Sequence, residues 1–269
     1  MTRTGSHSDG VPFIAFHVAR ASGEVIAARE DDVVVYAAST VKLAVLVAAA
    51  RELDAGTASL TEELVATRTF TSQVPGAGPF TIEPDDTDEG LPPDGTPMPL
   101  ADVAERMIVV SSNEATNMMI ERVGFAACNR ALADAGCADS VLSRLYCDLA
   151  AAGTGGPSHR VTARDLARLM GAVVTGRLAS PERTAWMLDL LSRQTDRQLT
   201  ASFPDDVPFG SKSGWVDGIR HDVAFLGEPG PDALVVAVCT RGYENHDAEE
   251  AIRALGAMAS ATRGLPRAA

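Results

Sequence analysis

Short apolar runs lie near both ends of the chain and predict β-strands. Residues 13–20 and 24–29 flank Ala21-Ser22-Gly23, a pattern typical of a β-hairpin. Toward the other end, residues 208–226 have strand character, and residues 233–240 form an unbroken apolar run, as expected of a strand covered on both faces. We therefore expect strands from the two ends of the chain to pair.

Helical spacing of apolar positions fills the middle of the chain. Residues 40–55, rich in Ala, Leu and Val and followed by Gly56, predict a largely buried helix that begins at Ser39 or Thr40 and ends in a glycine cap. A serine-rich break at residues 111–113 separates the first and second of the remaining helices. These are predicted over residues 100–109, 114–123, 126–135, 162–174, 181–192 and 247–263.

The order of these elements predicts an α/β protein of the α+β type, in which one antiparallel sheet built from both chain ends carries an inserted all-helical lobe. We expect a single domain over residues 1–269. Its sheet lobe covers about 10–38 and 205–269, and its helical lobe covers about 39–204. A cleft between the two lobes is the natural place for a ligand.

Residues 71–99 depart from this pattern, because they contain seven prolines and an acidic group. Two interpretations stay open: a solvated surface loop, or a lid that borders the cleft. The acidic group comprises Glu83, Asp85, Asp86, Asp88, Glu89 and Asp94.

Composition limits the classes of partner. A formal net charge of −13, without a basic stripe, disfavours nucleic acid and anionic membranes. A small molecule or a peptide is the expected partner. No apolar run approaches the roughly 20 residues of a membrane span, and the polar N-terminus lacks a secretory signal, so we expect a cytoplasmic protein unless a signal has been removed. The four cysteines show neither paired spacing nor neighbouring histidines, so we expect free thiols and no metal or other cofactor.

Lysine is nearly absent from this chain. Lysine and arginine together number 23, and only Lys42 and Lys212 are lysines. An ammonium can lose its proton when it is buried or placed beside another cation, whereas a guanidinium cannot. Each lysine also has a serine close by, in Ser39-Thr40-Val41-Lys42 and Lys212-Ser213-Gly214. This combination indicates a serine nucleophile that is activated by lysine.

Ser39 and Lys42 are three residues apart, which in a helix places them on one face and within hydrogen-bonding range. A second positive charge from Lys212 would favour the neutral amine of Lys42, which could then serve as a base. The Ser-x-x-Lys pattern is weak alone. It gains weight because Ser111-Ser112-Asn113 follows between two helices and Lys212-Ser213-Gly214 follows on a strand, in the order in which such motifs occur together.

On these three motifs the chain resembles the penicillin-recognising serine enzymes, and within them the class A β-lactamase-like serine hydrolases. The resemblance covers almost the whole chain and includes residues 107–120 around the second motif and 210–215 around the third. It implies a fold of the β-lactamase and transpeptidase type.

The resemblance also implies a role for each motif residue. Ser39 would be acylated, Lys42 would accept its proton, and Ser111 would relay a proton to the leaving group. Asn113 would hold the substrate's acyl side, and Lys212 would supply positive charge near Ser111. Ser213 and Gly214 would line the substrate strand, with Ser213 bonding a substrate carboxylate or carbonyl, and the backbone N–H groups of Ser39 and Trp215 would form the oxyanion hole.

Two departures from the family pattern are visible in the sequence. Ser112 replaces the aspartate usual in the second motif, at a position that is more structural than chemical. The glutamate that activates the deacylating water in class A β-lactamases has no counterpart, since no Glu or Gln occurs between Glu121 and Glu182. In the segment 143–159 only Asp148 carries a carboxylate, which either is pinned to Arg144 or the loop backbone or serves as a hydrolytic base. Efficient hydrolysis of β-lactams is therefore not expected.

Several further residues are candidates for the cleft. Arg220 or His221 could meet a substrate carboxylate, or both could face solvent while Asp222 bonds the backbone. Asn117 is expected to pin the adjacent loop, and Tyr146 and Trp215 to wall the pocket.

The function predicted from these residues is that of a serine hydrolase which forms an acyl-enzyme on Ser39 from an ester or amide substrate, as an esterase, amidase or carboxypeptidase does. Two alternatives remain open: an acyltransferase that uses the same acyl-enzyme, and a β-lactam-binding or peptide-binding protein that is acylated and then stalls.

Overall fold

The computed structural model describes residues 10–153, 158–204 and 206–262. The strands are β1 (Phe13–Arg20), β2 (Val25–Arg29), β3 (Val35–Tyr36), β4 (Glu63–Val65), β5 (Thr69–Thr71), β6 (Pro79–Thr81), β7 (Pro97–Pro99), β8 (Arg160–Val161), β9 (Phe209–Val216), β10 (Ile219–Leu226) and β11 (Leu234–Arg241). The α-helices are α1 (Lys42–Asp54), α2 (Leu100–Val109), α3 (Asn113–Val123), α4 (Phe125–Asp134), α5 (Leu149–Gly153), α6 (Ala163–Val174), α7 (Pro181–Ser192) and α8 (Asn245–Thr262). Short 3-10 helices occupy Pro84–Asp86 and Leu199–Ser202.

The main sheet has five strands in the order β2-β1-β11-β10-β9, and every neighbouring pair is antiparallel. Strands from the two chain ends meet where Phe13 pairs with Arg241 and Arg20 with Leu234. Strand β11 is buried along almost its whole length because helices cover both faces of the sheet. The predicted sheet from both chain ends is confirmed.

Helix α1 is the centre of the helical part. Residues Lys42 to Ala50 are all buried, and α1 packs against α2, α3, α4, α6 and α7. A helix that is apolar on all sides must be enclosed by other elements. The larger hydrophobic core lies between these helices and one face of the sheet, and a smaller core lies beneath α8 on the opposite face.

Most predicted helix boundaries agree with the structure to within one or two residues, and Pro181–Ser192 agrees at both ends. The first helix differs, since it begins at Lys42 rather than at Ser39 or Thr40. Residue 263 of the predicted last helix, and the polar residues 1–9 used to predict location, lie outside the described residues. Among the described helices, none combines the length and the apolar character that a membrane crossing requires.

The inserted segment also contains strands, so the expectation that it is all-helical is wrong in detail. Within it, β4 pairs with β7 and β5 with β6. Both ladders involve the proline-rich residues 71–99. Most of this segment is not helical, so its backbone N–H and C=O groups form hydrogen bonds in short antiparallel ladders.

Candidate active site

Ser39 lies in a tight turn directly before α1. The backbone N–H of Lys42 donates to the Ser39 carbonyl at 3.2 Å, and Thr40 N–H donates to Ala37 O at 3.2 Å. Ala38 adopts a left-handed conformation with φ of 45°, which is uncommon for a residue with a side chain. In the described part of the chain no backbone carbonyl accepts from the Ser39 N–H, so this group is available to an external acceptor.

Gly214 of β9 packs directly against this turn. A Cβ atom added at Gly214 would lie 2.5 Å from the backbone nitrogen of Ser39 and 2.8 Å from that of Thr40. Only glycine allows this approach. The third motif is thereby placed beside the Ser39 backbone, as an oxyanion hole shared by Ser39 and Trp215 requires.

Lys42 is fully buried and extends to the turn between α2 and α3. Its Nζ donates to Ser111 O at 2.6 Å, Asn113 Oδ1 at 2.9 Å and Ser112 O at 3.3 Å, and it lies 3.4 Å from Ser111 Oγ. Among the described residues, no hydrogen bond joins Lys42 Nζ to Ser39 Oγ. The expected direct bond is therefore absent in this state, because a buried ammonium has three protons to satisfy and the carbonyl oxygens provide acceptors for them.

The two lysines meet at Ser111. Ser111 Oγ accepts a hydrogen bond from Lys212 Nζ at 3.0 Å and one from Lys42 Nζ at 3.4 Å. Ser111 has a φ of 63°, and this strained backbone turns both its carbonyl and its hydroxyl toward the lysines. The amine of the distant strand is thus brought to the amine of α1, as the sequence predicted.

Burial acts on both ammonium groups, and the charge of Lys212 acts on Lys42 as well. Burial, and after it the charge of Lys212, lowers the pKa of Lys42 well below its ordinary value. Burial lowers the pKa of Lys212 to about 8, although Asp196 and Asp222 oppose the shift. Lys42 is therefore the group disposed to become a neutral base, and Lys212 the one that keeps its charge near neutral pH.

A buried glutamate organises the second motif. Ser112 caps α3 by accepting from Ala115 N–H at 3.1 Å, and its hydroxyl donates to Glu114 Oε2 at 3.0 Å. Glu114 Oε1 accepts from the backbone N–H of Asp88 at 2.9 Å. Glu114 thus supplies a carboxylate beside Ser112 and ties the proline-rich segment to the second motif. Sequence reasoning missed Glu114, although its place two residues after Ser112 was a usable signal.

Gln194 connects the second and third motifs. It is buried, and the amide orientation that satisfies every neighbour has Nε2 donating to Ile108 O at 2.7 Å and Val109 O at 2.8 Å. In that orientation Oε1 accepts from Ser213 N–H and Ser213 Oγ, both at 3.0 Å, and from Lys212 Nζ at 3.2 Å. The Ser213 hydroxyl is thus engaged with Gln194, and its contact with substrate stays a prediction. Nothing in the local sequence marks Gln194.

Arg220 and His221 do not have the surroundings that were expected. His221 is fully buried; its Nε2 lies 2.8 Å from Tyr36 O, and its Nδ1 lies 2.8 Å from Arg220 O and 3.1 Å from the backbone nitrogen of Thr240. The expectation that His221 lines the cleft is wrong, because backbone groups of three strands enclose the ring. Burial lowers the pKa of His221 to about 4, so it stays neutral.

Arg220 is buried rather than solvent-facing. Its Nη2 pairs with Asp196 at 2.7 Å and with Glu249 at 3.0 Å, and its guanidinium lies 6.0 Å from the Trp215 ring. Two carboxylates already neutralise this cation, and its contact with a substrate carboxylate stays a prediction. Trp215 is 54% exposed, an unusual value for an indole.

Asp148 is held by the loop around it. It is fully buried, and it accepts from Ser72 Oγ at 2.9 Å, Gln73 N–H at 3.2 Å and Ala151 N–H at 3.0 Å. The structure therefore favours the pinned interpretation, with Ser72 and backbone groups in place of Arg144 as partners. The same bonds, with that from Leu145 N–H to Gln73 Oε1 at 3.2 Å, attach the proline-rich segment to the 143–148 loop, so this segment borders the site.

Asn117 pins the loop as predicted. Its Oδ1 accepts from Tyr146 N–H at 2.7 Å, and its Nδ2 donates to Tyr146 O at 3.0 Å. The Tyr146 ring lies over Lys42, with Nζ 4.6 Å from the ring centroid. Cys147, the next residue, has its Sγ 3.7 Å from Asn113 Nδ2, and burial raises the pKa of this thiol to about 12, so it stays protonated. The described cysteines are free, and three of the four are buried.

This arrangement of side chains suits acyl transfer to a hydroxyl. It combines a half-buried serine at a helix start, a buried amine with a lowered pKa, and a second amine that shares a serine hydroxyl with the first. Nucleophile, base and oxyanion donors are the parts that such chemistry needs.

Comparison with known proteins agrees with this arrangement. The family model described as "Beta-lactamase enzyme family" matches residues 7–262. A β-lactamase of Streptomyces albus G is 27% identical over 250 residues, which cover 91% of this chain and 76% of that protein.

Solved structures of this family have the same fold. The β-lactamase of Sphaerobacter thermophilus DSM 20745 superposes with a TM-score of 0.79 at 30% identity, covering 96% of this chain and 94% of that one. An acyl-enzyme complex of a PBP-A mutant with penicillin G superposes with a TM-score of 0.75 at 25% identity, covering 93% of this chain and 90% of that one.

The resemblance inferred from the three motifs is thus confirmed, as is the fold class. The chain belongs to the β-lactamase enzyme family and is a serine hydrolase of the β-lactamase type.

Proposed function

We propose that this enzyme forms an acyl-enzyme on Ser39 from an ester or amide substrate, and that it hydrolyses β-lactams poorly. The observation that carries the proposal is the contrast around Lys42. Ser111 and Asn113 provide polar contacts on one side, whereas the described part of the 143–159 loop presents the Tyr146 ring and a carboxylate, Asp148, that is already engaged. The acyl-enzyme of the PBP-A mutant with penicillin G supports the view that this fold accepts a penicilloyl group.

Acylation begins with proton transfer from Ser39 to Lys42. A neutral amine has two N–H donors and a lone pair, so Lys42 then needs only two of its three carbonyl contacts. The lone pair is free to turn to the Ser39 hydroxyl, whose oxygen attacks the substrate carbonyl. The oxyanion is bound by the N–H groups of Ser39 and Trp215.

The leaving group takes its proton through Ser111. Its hydroxyl bonds both Lys42 and Lys212, so a proton held on Lys42 can pass to the leaving oxygen or nitrogen while Lys212 stays charged. Asn113 Oδ1 binds Lys42 and one N–H of its amide nitrogen donates to Cys147 Sγ, which leaves the second N–H for the acyl-side carbonyl of the substrate. A small ester or peptide-like amide fits these groups.

Release of the acyl group separates the possible activities. With an ordinary ester the leaving group departs, and Lys42 or the Lys42 and Ser111 pair can then activate water. With a β-lactam the leaving group stays attached and shields the ester, so the adduct persists. An acyltransferase would use the same intermediate with an amine or alcohol acceptor.

The test is to incubate the full chain with p-nitrophenyl esters and, separately, with a fluorescent penicillin, following product by absorbance and the adduct by intact mass. We expect ester turnover and a slowly released penicilloyl adduct. Faster loss of the adduct with added amines would identify an acyltransferase. Full activity of Ser39→Ala on the same substrates would contradict the proposal.

A further inference from the structure

Tyr146 contacts both the lysine and the turn that presents Ser39. Its ring centroid lies 4.6 Å from Lys42 Nζ, within the distance of about 6 Å at which a cation is attracted to an aromatic face. Its hydroxyl donates to Ala38 O at 2.9 Å. Ala38 is the left-handed residue immediately before Ser39, so one side chain touches the amine and fixes the backbone of the nucleophile.

The Tyr146 ring is held firmly in this place. Asn117 bonds both its backbone N–H and its carbonyl, at 2.7 Å and 3.0 Å. On the other side the ring stacks on His159, with centroids 4.7 Å apart and an angle of 28° between the planes. Tyr146 is only 5% exposed. A ring fixed at its backbone, face and hydroxyl does not move aside to admit water next to Lys42.

Hydrolysis of the acyl-enzyme needs a water and a base at the same place. The water oxygen bonds to the acyl carbonyl carbon, the bond to Ser39 Oγ breaks, and one water proton passes through the base to Ser39 Oγ. Lys42 Nζ has Ser111, Ser112 and Asn113 on its polar side and the aromatic ring on the loop side. An aromatic face takes no proton from water, and the Tyr146 hydroxyl is already engaged with Ala38 O.

We propose that Tyr146 is a positioning residue that sets the lifetime of the acyl group on Ser39. Its ring closes the loop side of Lys42 to water, and its hydroxyl holds the turn that presents Ser39 for acylation. This inference rests on the proposed function, since it concerns the fate of the acyl-enzyme. It assigns two separable effects to one side chain.

Two variants of the full chain separate these effects. Tyr146→Phe keeps the ring and loses the bond to Ala38, so acylation by a fluorescent penicillin should slow by about three- to tenfold, the usual contribution of one hydrogen bond. The lifetime of the adduct, followed by intact mass after removal of excess penicillin, should stay within about twofold. Tyr146→Leu removes the ring and admits water, so the adduct should be lost at least about tenfold faster.

A matched control is Tyr36→Leu. The Tyr36 ring also packs near His159, with the two ring centroids 6.1 Å apart. The ring that lies over Lys42, however, is that of Tyr146. The Tyr36 variant should leave the adduct lifetime within about twofold. An unchanged lifetime in Tyr146→Leu, or an equal shortening in Tyr36→Leu or Tyr146→Phe, would overturn the assignment to the ring.

A second measurement tests the ring contact without any acylation. Because the chain has only two lysines, selective ¹³C labelling of lysine gives two Cε signals, and Lys212→Arg identifies which belongs to Lys42. The Lys42 signal should carry a ring-current shift that Tyr146→Phe keeps and Tyr146→Leu removes, while the Lys212 signal stays in place and reports an intact fold. If neither the penicillin nor a p-nitrophenyl ester acylates the wild-type protein, the proposed function fails, and the Lys42 shift still reports whether the ring contact exists. If the Lys42 signal does not move in Tyr146→Leu, the inference about Tyr146 fails.

Discussion

The two sides of Lys42 differ in chemistry. Toward the turn between α2 and α3 the lysine meets carbonyl oxygens, which accept its hydrogen bonds, and the Ser111 hydroxyl, which can relay a proton. Toward the 143–148 loop it meets the face of Tyr146, and the carboxylate of that segment, Asp148, is bonded to Ser72 and the loop backbone. The first side has what acylation requires, whereas the residues described on the second offer no group prepared for hydrolysis. This contrast is the basis of our proposal that the chain is acylated readily and releases the acyl group slowly.

The largest expected effect is that of Lys42→Met on the acylation rate, because this variant removes the base and keeps the length of the side chain. Acylation by a fluorescent penicillin should fall by about 10² to 10⁴-fold, the usual contribution of a positioned general base. Stopped-flow fluorescence measures the rate. An acylation rate within about threefold of wild type would show that the polar side of Lys42 does not drive acylation.

Gly214→Ala should have the next largest effect, again on the polar side. The added methyl group would press on the backbone nitrogens of Ser39 and Thr40, moving the Ser39 N–H from the oxyanion. Loss of one such donor costs about 10² to 10³-fold in rate, so acylation should fall by that amount.

Gly153→Ala is the matched control, since nothing lies within 4 Å of a Cβ at that position. It should acylate at the wild-type rate. Equal acylation rates for Gly214→Ala and Gly153→Ala would show that the close approach of β9 to the Ser39 turn does not contribute to acylation.

Acylation of Ser39 and release of the adduct should depend differently on pH, because they involve groups on opposite sides of Lys42. Acylation needs a neutral Lys42 and a charged Lys212, whose pKa burial lowers to about 8. Acylation should therefore decline as the pH rises above about 8, where Lys212 loses its proton. Release of the adduct should stay flat between pH 6 and about 9, because on the loop side burial keeps the Tyr146 hydroxyl and the Cys147 thiol protonated, raising the pKa of each.

Lys212→Arg tests the assignment of this decline, since a guanidinium keeps its charge over the whole range. Its acylation should be slower than that of wild type but should not decline above pH 8. A decline that persists in Lys212→Arg would mean that another group titrates.

The smallest expected effect is on stability, and it comes from Asp222, a residue of β10. Asp222 is fully buried, accepts from Leu199 N–H at 2.9 Å, and has a pKa raised to about 7 by burial. Its folded pKa is above the unfolded value, so its contribution to stability is complete below about pH 4 and is lost as the pH rises through about 7. Asp222→Asn should therefore flatten the fall in melting temperature between pH 5 and about 7. A melting curve with the wild-type slope would contradict the raised pKa.

Local sequence signals were enough to predict much of the fold. Pro181–Ser192 was found at both ends because Ser180 caps it, accepting from Arg183 N–H at 3.2 Å, and proline follows at the first position. The apolar run of β11 was recognised because helices cover both sides of that strand. Such features depend on neighbours within a few residues.

The features that were missed depend on partners far away in sequence. His221 bonds Tyr36, 185 positions earlier, and Gln194 bonds residues of both α2 and β9. The turn before Lys42 contains the left-handed Ala38 and lies directly against Gly214, and local spacing reveals neither feature. The motifs predicted which lysines would meet. They did not predict that Lys42 would rest on Ser111 and Asn113 rather than on Ser39.

The central claim is that acylation on Ser39 is fast and release of a β-lactam product is slow. Mixing the full chain with an excess of a chromogenic cephalosporin in a stopped-flow instrument tests it directly. The account predicts a burst of chromophore close to one equivalent per protein molecule, followed by a much slower steady rate, and no burst in Ser39→Ala. A rapid linear release with no burst in wild type would contradict it, because the acyl-enzyme would then not accumulate.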